Sequence, residues 1–136
     1  MGFRILIVED NPYVVDLYSY VLRKLAAETS AGAGAEVTMD VESAADGFGA
    51  LRRLREAAEP FDLILTDLFM PVMDGFALVE RVREEASLQH IPVVAISAGG
   101  QEARQRALDA GVDVYLRKPV RFVDVAETVK QVLRLA

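Results

Sequence analysis

Three short runs of apolar residues constrain the fold of this chain more than any other feature. They cover residues 5–8, 63–65 and 91–96, and each is closed by a polar residue or a turn. A continuous apolar run of this length is typical of a strand that is buried on both faces, which is the usual situation in a parallel sheet. The chain therefore favours a parallel sheet with helices packed on each side.

Amphipathic segments separate these strands. Asn11 and Pro12 are typical of an N-cap and a first helical position, and apolar residues then recur at helical spacing. These residues are Val14, Leu17, Tyr18, Val21, Leu22 and Leu25. Two further helices are predicted over 75–86 and 101–110, the second closed by Gly111, and a last helix presents Val125, Val129, Val132 and Leu133 to the core.

Two shorter strands complete the pattern. Residues 37–42 alternate between apolar and polar, which indicates a half-exposed strand at the edge of the sheet, and residues 114–116 form a short last strand. The resulting (βα)5 alternation predicts an α/β fold with a doubly wound, five-stranded parallel sheet and right-handed crossovers. With 136 residues and no internal repeat, we expect one domain spanning residues 1–136.

Three local expectations concern the connections. Ser43 and Asp46 are interpreted as a capping box for a helix that carries Phe48, Leu51 and Leu54. Residues 28–36 are rich in Ala, Gly, Ser and Thr and are predicted to form a flexible loop. His90 is interpreted as a surface residue on a loop, away from the functional edge of the sheet.

Composition excludes several classes of function. The chain has no Cys, which removes thiolate and disulfide chemistry and fits a reducing compartment. No apolar run approaches the roughly 20 residues of a membrane span, and the N-terminal run is closed too early, by Glu9 and Asp10, for a signal peptide. A net charge of -6 disfavours nucleic-acid contact. We therefore expect a cytoplasmic protein without membrane contact.

Five chemically competent residues stand at strand ends. Glu9 and Asp10 follow the first strand, Asp67 the third, Ser97 ends the fourth and Lys118 follows the fifth. Because open α/β sheets bind ligands at the carboxyl ends of their strands, we expect these side chains to lie close together. Three converging carboxylates repel one another unless a cation joins them, and an all-oxygen site suits Mg²⁺. The charges of Mg²⁺ and Lys118 would balance the three carboxylates.

This set of residues fits phosphoryl transfer to Asp67. A carboxylate can act as a nucleophile and form an aspartyl phosphate. Catalysis then consists mostly of positioning and of neutralising the charge on the phosphoryl oxygens, by Mg²⁺ and by a cation such as Lys118. The Ser97 hydroxyl could donate a hydrogen bond to one phosphoryl oxygen.

In combination, these motifs resemble the receiver domain of two-component response regulators. The matching segments are 9–10, 67–75 with its Met-Pro and Asp-Gly pairs, 97–98 and 118–119. They are spread along the sequence, so the resemblance covers essentially the whole chain. The resemblance implies the flavodoxin-like strand order 2-1-3-4-5. It also implies that Asp67 is the phosphoacceptor, and that Glu9 and Asp10 hold Mg²⁺ together with Asp67 and the backbone carbonyl of Phe69.

The resemblance further implies a switch. Lys118 would pair with the phosphoryl group, and its peptide bond to Pro119 would be cis. Ser97 and Tyr115 would form the switch pair, with Ser97 moving to the phosphoryl oxygen and the Tyr115 ring turning inward. The output surface would be the fourth helix, fifth strand and fifth helix.

The resemblance also implies the kind of partner. The donor would be a sensor histidine kinase or a histidine phosphotransfer protein, the output partner stays unknown, and a phosphorylation-dependent homodimer is one expected form. The chain would not be an enzyme acting on outside substrates, although it would assist its own phosphorylation and dephosphorylation. It could be a stand-alone regulator or part of a longer one.

The residues themselves support a movable fourth helix. Residues 101–110 offer a sparse apolar face of Ala103, Ala107 and Leu108, and two glycines, Gly99 and Gly100, precede them. Such a weakly packed element is typical of a switch.

Three other functions are compatible with parts of this pattern. A flavodoxin-like cofactor binder needs a phosphate-cradling first loop, where Glu9 and Asp10 would repel phosphate. A phosphatase with an Asp nucleophile would want a second acid two residues after Asp67, where Phe69 stands. The third alternative is a receiver-like interaction module that is never phosphorylated, and the presence of all five chemical residues argues against it.

Overall fold

The computed structural model describes residues 1–33 and 36–135, in which five parallel strands alternate with five helices. The strands are β1 (Gly2–Val8), β2 (Thr38–Ala44), β3 (Leu63–Thr66), β4 (Val93–Ser97) and β5 (Val114–Arg117). The helices are α1 (Pro12–Ala33), α2 (Gly47–Glu56), α3 (Gly75–Glu84), α4 (Gln101–Ala110) and α5 (Phe122–Val132). The strands pair in the order β2-β1-β3-β4-β5, so the predicted fold class and strand order are confirmed.

Side chains of the central strands alternate between two cores, one on each face of the sheet. On β1, Ile5 and Ile7 pack beneath α1 and α5, whereas Leu6 and Val8 pack beneath α2, α3 and α4. All four side chains are fully buried. The continuous apolar run seen in the sequence is therefore the result of covering both faces of one strand.

The two edge strands are different from the central ones. β2 alternates between exposed and partly buried side chains, as its sequence pattern predicts. Its Asp40 and Glu42 both pair with Arg4 of the neighbouring strand β1. β5 has four residues, three of them partly buried and the last exposed.

The predicted loop over residues 28–36 is wrong for most of its length, because α1 continues to Ala33. The hydroxyls of Thr29 and Ser30 donate to the carbonyls of Leu25 and Ala26, one helical turn earlier. The Ser30 hydroxyl also accepts from the amide of Val37, which ties the helix to the start of β2. Because these hydroxyls bond to carbonyls of the same helix, Thr29 and Ser30 do not end α1, and the alanines around them favour the helical conformation. Residues 34–35 lie outside the described residues.

Two other local expectations need correction. Asp46, not Ser43, is the N-cap of α2, and its carboxylate accepts from the Gly49 amide at 2.8 Å. Ser43 instead lies in β2, which stays paired with β1 as far as Ala44. Leu17 on α1 and Phe48 on α2 are both exposed, so the apolar stripe of each helix is narrower than the spacing indicated.

Candidate functional site

Two carboxylates, those of Glu9 and Asp10, follow the end of β1 and differ in burial. The amide of Glu9 still donates to the carbonyl of Ala44, so the residue is held by the sheet, and its side chain is buried. One carboxylate oxygen, Oε2, accepts from the amides of Asp10 at 2.8 Å and Asn11 at 3.4 Å. Asp10 itself is exposed. The chain therefore presents one inner and one outer carboxylate at this position.

Asp67 follows β3 and is fixed by its own backbone surroundings. Its amide donates to the carbonyl of Val8 at 2.9 Å, and its Oδ1 accepts from the amides of Leu68 at 2.7 Å and Phe69 at 3.4 Å. The hydroxyl of Thr66, which is buried, donates to the Asp67 carbonyl at 2.6 Å. With Oδ1 occupied, the second carboxylate oxygen is left to face the other side chains of the site.

Lys118 supplies the positive charge of the site. Its Nζ lies 3.6 Å from Asp67 Oδ2 and 3.6 Å from Glu9 Oε1. Its amide donates to the carbonyl of Ser97 at 2.8 Å, which extends the β4–β5 pairing to the edge where the site lies. The peptide bond between Lys118 and Pro119 is cis, as the resemblance to receiver domains implied.

The three carboxylates form a compact oxygen cluster. Ligand atoms of Glu9, Asp10 and Asp67 lie within 4.8 Å of one another. Burial raises the pKa of Glu9, and hydrogen bonding with Asp10 and the charge of Asp67 raise it further, whereas Lys118 lowers it. Carboxylates in such a position are stabilised by a cation, and a few carboxylate oxygens open to water suit Mg²⁺. The residues present therefore fit the predicted metal.

Ser97 contributes a hydroxyl that has no hydrogen-bond partner among the residues that the structure describes. The residue is fully buried, and its Oγ makes no hydrogen bond in the described part of the chain. Buried hydroxyls are normally bonded, so an orphaned one at a strand end indicates a place where a ligand atom completes the geometry. This feature fits an oxygen-rich group near Asp67.

Tyr115 lies beside this region on β5 and is partly buried. Its hydroxyl donates to the carbonyl of Gly99, at the start of the β4–α4 connection. A methyl group added at Gly99 would come within 3.2 Å of that hydroxyl and 3.0 Å of the Phe69 ring. The structure therefore brings the predicted switch residue into contact with the segment that leads into α4.

Phe69 has an exposed side chain, and its ring packs edge-on against Phe76 with centroids 5.7 Å apart. Sequence reasoning considered its carbonyl and missed its amide, which points at Asp67 Oδ1. It also missed Thr66, although a single polar residue at the end of an otherwise apolar run was a usable signal.

Asp74 lies outside the cluster, because its carboxylate caps α3 by accepting from the Ala77 amide at 2.9 Å.

The comparison of sequences gives the family. The family model described as the response regulator receiver domain matches residues 5–130. This chain belongs to that family. Its predicted assignment to the receivers of two-component signalling is thereby confirmed.

Relatives of several kinds share the domain. The two-component response regulator ORR26 of Oryza sativa subsp. japonica is 32% identical over 134 residues, covering 98% of this chain and 20% of the relative. The DNA-binding dual master transcriptional regulator RpaA of Synechocystis is 35% identical, covering 96% of this chain and 49% of the relative. The sensor histidine kinase TmoS of Ectopseudomonas mendocina is 39% identical, and the match covers 85% of this chain and 10% of the relative. The chain thus spans at most about half the length of these relatives.

Solved structures agree with the fold. The receiver domain of sensor histidine kinase PA1611 from Pseudomonas aeruginosa PAO1 matches with a TM-score of 0.80 and 28% identity, covering 98% of this chain and 99% of that one. That structure has a magnesium ion coordinated in its active-site cleft. The chemotaxis protein CheY4 of Vibrio cholerae matches with a TM-score of 0.77 and 29% identity. The match covers 97% of this chain and 99% of that one.

None of the helices within residues 1–33 and 36–135 combines the length and the hydropathy that a membrane span requires.

Proposed function

We propose that this chain is a phosphorylation-dependent signalling switch in which Asp67 accepts a phosphoryl group. The donor would be a phosphohistidine on a sensor histidine kinase or a histidine phosphotransfer protein, which fits a cytoplasmic location. The observation that carries the proposal is the position of Asp67 Oδ2, 3.6 Å from Lys118 Nζ within a three-carboxylate cluster. The orphaned hydroxyl of Ser97 supports it.

The chemistry would be a single displacement at phosphorus. A carboxylate oxygen of Asp67 attacks the phosphorus atom, the P–N bond to the donor histidine breaks, and the histidine nitrogen leaves with the bonding electron pair. Lys118 compensates the negative charge of the phosphoryl oxygens, and the Ser97 hydroxyl donates a hydrogen bond to one of them. These side chains would assist phosphorylation and hydrolysis of Asp67 itself, and the chain would not turn over outside substrates.

A divalent cation belongs to this proposal. Glu9, Asp10 and Asp67 would hold Mg²⁺ through their side chains and Phe69 through its backbone carbonyl. Bound Mg²⁺ supplies positive charge that neutralises phosphoryl oxygens. An open groove of about 570 Å³, bordered by Glu9, Asp10 and Arg53, lies beside the cluster and gives access from solvent.

Signal output would run through α4, β5 and α5. The fourth helix has Ala107 as its buried residue, so little apolar packing opposes its movement. A phosphoryl group at Asp67 that attracts the Ser97 hydroxyl would bias the β4–α4 connection, where Gly99 contacts Tyr115. Binding of an output partner, or of a second copy, would then change on this face.

Incubation with acetyl phosphate and Mg²⁺, followed by intact-mass measurement, tests the proposal. We expect the wild-type protein to gain one phosphoryl group and the Asp67→Asn variant to gain none. Asp109→Asn, on the exposed face of α4, is the matched control and should be phosphorylated like the wild type. A folded wild-type protein that gains no phosphoryl group would contradict the proposal and favour a receiver-like interaction module.

Thermal unfolding tests the metal site separately. Adding Mg²⁺ should raise the Tm of the wild type as its concentration increases, because a ligand of the folded state stabilises that state. The Asp10→Asn variant removes one ligand and should lose most of this increase. Asp109→Asn removes an exposed carboxylate on α4, away from this groove, and should keep it. An equal increase in all three proteins would exclude Asp10 as a ligand.

A further inference from the structure

Arg83, at the C-terminal end of α3, uses every donor it has. Its Nε and Nη2 donate to the carbonyl of Gly111 at 3.0 and 2.8 Å, and Nη1 donates to the carbonyls of Gln89 and Ile91, both at 2.8 Å. Nη2 also donates to Asp113 Oδ2 at 2.9 Å. A guanidinium has five N–H groups, and all five are bonded here. The side chain joins α3, the loop before β4, the end of α4 and the start of β5.

Gly111, which caps α4, is shaped to receive this side chain. Its φ of 117° is in the left-handed region, and its amide donates to the carbonyls of Ala107 and Leu108. A methyl group at this position would lie 2.7 Å from Cγ of Arg83. The Arg83 stem therefore lies directly across the end of the helix, in contact with its backbone.

Asp113 extends the attachment to the sheet. The Oδ2 atom that accepts from Arg83 also accepts from the amide of Val93 at 2.8 Å, and the amide of Asp113 donates to the carbonyl of Val93 at 2.9 Å. The C-terminal end of α4 is thus held by charge-assisted hydrogen bonds that reach the central sheet.

In the described part of the chain, no charged side chain hydrogen-bonds to the N-terminal end of α4, and the nearest attachment is the Tyr115 hydroxyl, which donates to the carbonyl of Gly99 just before the helix. Gly100 is at the N-cap position and makes no side-chain capping bond, because it has no side chain. Near the middle, the Arg106 guanidinium lies 3.9 Å from the centre of the Phe76 ring, an adaptable contact at an exposed residue. The two ends of one helix are therefore held very differently.

We propose that Arg83 is a positioning residue that pins the C-terminal end of α4, so that the helix moves by swinging about that end. The mobile end is then the one next to Gly99 and Tyr115, close to the phosphorylation site. This inference rests on the proposed function for its purpose. The pin itself is a property of the unphosphorylated protein and is tested there.

Amide hydrogen exchange measured by NMR on the unphosphorylated protein tests the pin. The amide of Arg104 bonds to Gly100 near the free end, whereas those of Gly111 and Val112 bond to Ala107 near the pinned end. In the wild type we expect Arg104 to exchange faster than Gly111 and Val112. The Arg83→Met variant keeps the aliphatic stem but no donors, and exchange at Gly111 and Val112 should rise roughly tenfold or more, the effect of losing a charge-assisted hydrogen bond.

Two further variants make the result specific. Arg81→Met changes an exposed arginine on the same helix and should leave exchange at Gly111 and Val112 unchanged. Arg83→Lys keeps the charge with fewer donors and should fall between the wild type and Arg83→Met, which also provides a readout if Arg83→Met does not fold. Equal exchange at both ends in the wild type, or no change at Gly111 and Val112 in either Arg83 variant, would overturn the inference.

The same exchange measurement after phosphorylation tests whether the contacts of Arg83 affect signalling. After treatment with acetyl phosphate and Mg²⁺, exchange should change at Arg104 and not at Gly111 in the wild type, and at both in Arg83→Met. A phosphorylation-dependent change that is largest at Gly111 of the wild type would contradict the swing. Failure to phosphorylate at all would count against the proposed function and would leave the result on the unphosphorylated protein standing.

Discussion

Tyr18 shows how far the charges of the site reach into the protein. Its side chain lies on α1 in the core beneath α1 and α5 and is 8% exposed. Burial raises the pKa of Tyr18 to about 12, and the negative charges of Glu9 and Asp67 contribute to the shift. The phenol is thus kept neutral well beyond its ordinary range.

This predicts a specific loss of stability in alkali. In the unfolded chain Tyr18 ionises near its ordinary pKa of 10.0, whereas in the folded protein it ionises only near 12. Between these two pH values the unfolded chain loses the proton while the folded protein keeps it. The free energy of unfolding therefore falls as the pH rises through this interval. The full difference corresponds to roughly 2–3 kcal/mol at most. Below pH 10 the effect is absent.

Urea unfolding of the wild type and of Tyr18→Phe, from neutral pH upwards, measures this effect. The free energy of unfolding of the wild type should fall relative to that of Tyr18→Phe as the pH rises through this interval. Tyr20→Phe, an exposed tyrosine on the same helix, should follow the wild type. A constant difference between wild type and Tyr18→Phe would show that Tyr18 ionises normally.

At the residue scale, the sequence predicted which side chains meet but not how each is held. Glu9, Asp10, Asp67, Ser97 and Lys118 could be placed together because parallel strands end at one edge. That Glu9 is buried while its neighbour Asp10 is exposed depends on helices and loops packed from elsewhere in the chain. The orphaned Ser97 hydroxyl is likewise a property of tertiary packing.

The element that places Asp67 is the tight junction between β3 and α3. The amide of Gly75, the first residue of α3, donates to the carbonyl of Leu68 at 2.9 Å. A methyl group at Gly75 would lie 2.3 Å from the Asp67 carbonyl oxygen and 2.8 Å from Cα of Leu68. Both are backbone atoms, so they cannot move aside without displacing the candidate phosphoacceptor.

Gly75→Ala should therefore destabilise the protein by about 1–3 kcal/mol or more, as overpacking does. Gly49→Ala in α2 is the matched control, since its methyl group would find its nearest neighbours at 3.6 Å. Alanine is the better helix former, so Gly49→Ala should be neutral or stabilising by up to about 1 kcal/mol. Urea denaturation compares the two, and equal stabilities would mean that the β3–α3 junction yields more easily than its geometry indicates.

The bounds of a helix were predicted well where one sequence pattern dominated, and poorly where the residues are common both in helices and in loops. α4 is found over Gln101–Ala110 with Gly111 as its cap, because a sparse apolar face and a glycine are unambiguous. α1 was predicted too short because Ser and Thr are common in loops. Their hydroxyls bond here to the preceding helical turn, and only the structure shows that.

At the scale of the whole molecule, one sheet separates two apolar cores. Leu22 of α1 and Leu78 of α3 are both fully buried, on opposite faces of the sheet. Each core is anchored on the same strands, since alternate residues of β1, β3 and β4 point to opposite faces. Neither core can be lost without exposing the strands that support the other.

Leu22→Ala and Leu78→Ala should each cost about 2–5 kcal/mol, the usual range for a buried leucine. Because the sheet is shared, each variant should still unfold in a single transition. Far-UV circular dichroism and tyrosine fluorescence, followed together in urea, should give coincident curves. Separate transitions in either variant would show that the two faces of the sheet unfold independently.

The overall topology was predictable because it depends on the order of patterns rather than on detail. Strand-like runs that alternate with helical spacing leave few options beyond a parallel sheet with right-handed crossovers. The strand order itself came from the resemblance to receivers. The division of the helices, with α1 and α5 on one face and α2, α3 and α4 on the other, follows from that order.

The two edges of the sheet limit how copies of this domain can associate. An exposed edge strand invites pairing with a strand of another chain, and charged or very short edge strands discourage it. β2 carries Asp40 and Glu42 along one edge, and β5 offers only four residues before Lys118 and Pro119, which lacks an amide donor. Sheet extension between copies, the first step of many aggregates, is disfavoured on both sides. Self-association of this domain would therefore have to use side-chain surfaces, such as the α4–β5–α5 face, and not the backbone of an edge strand.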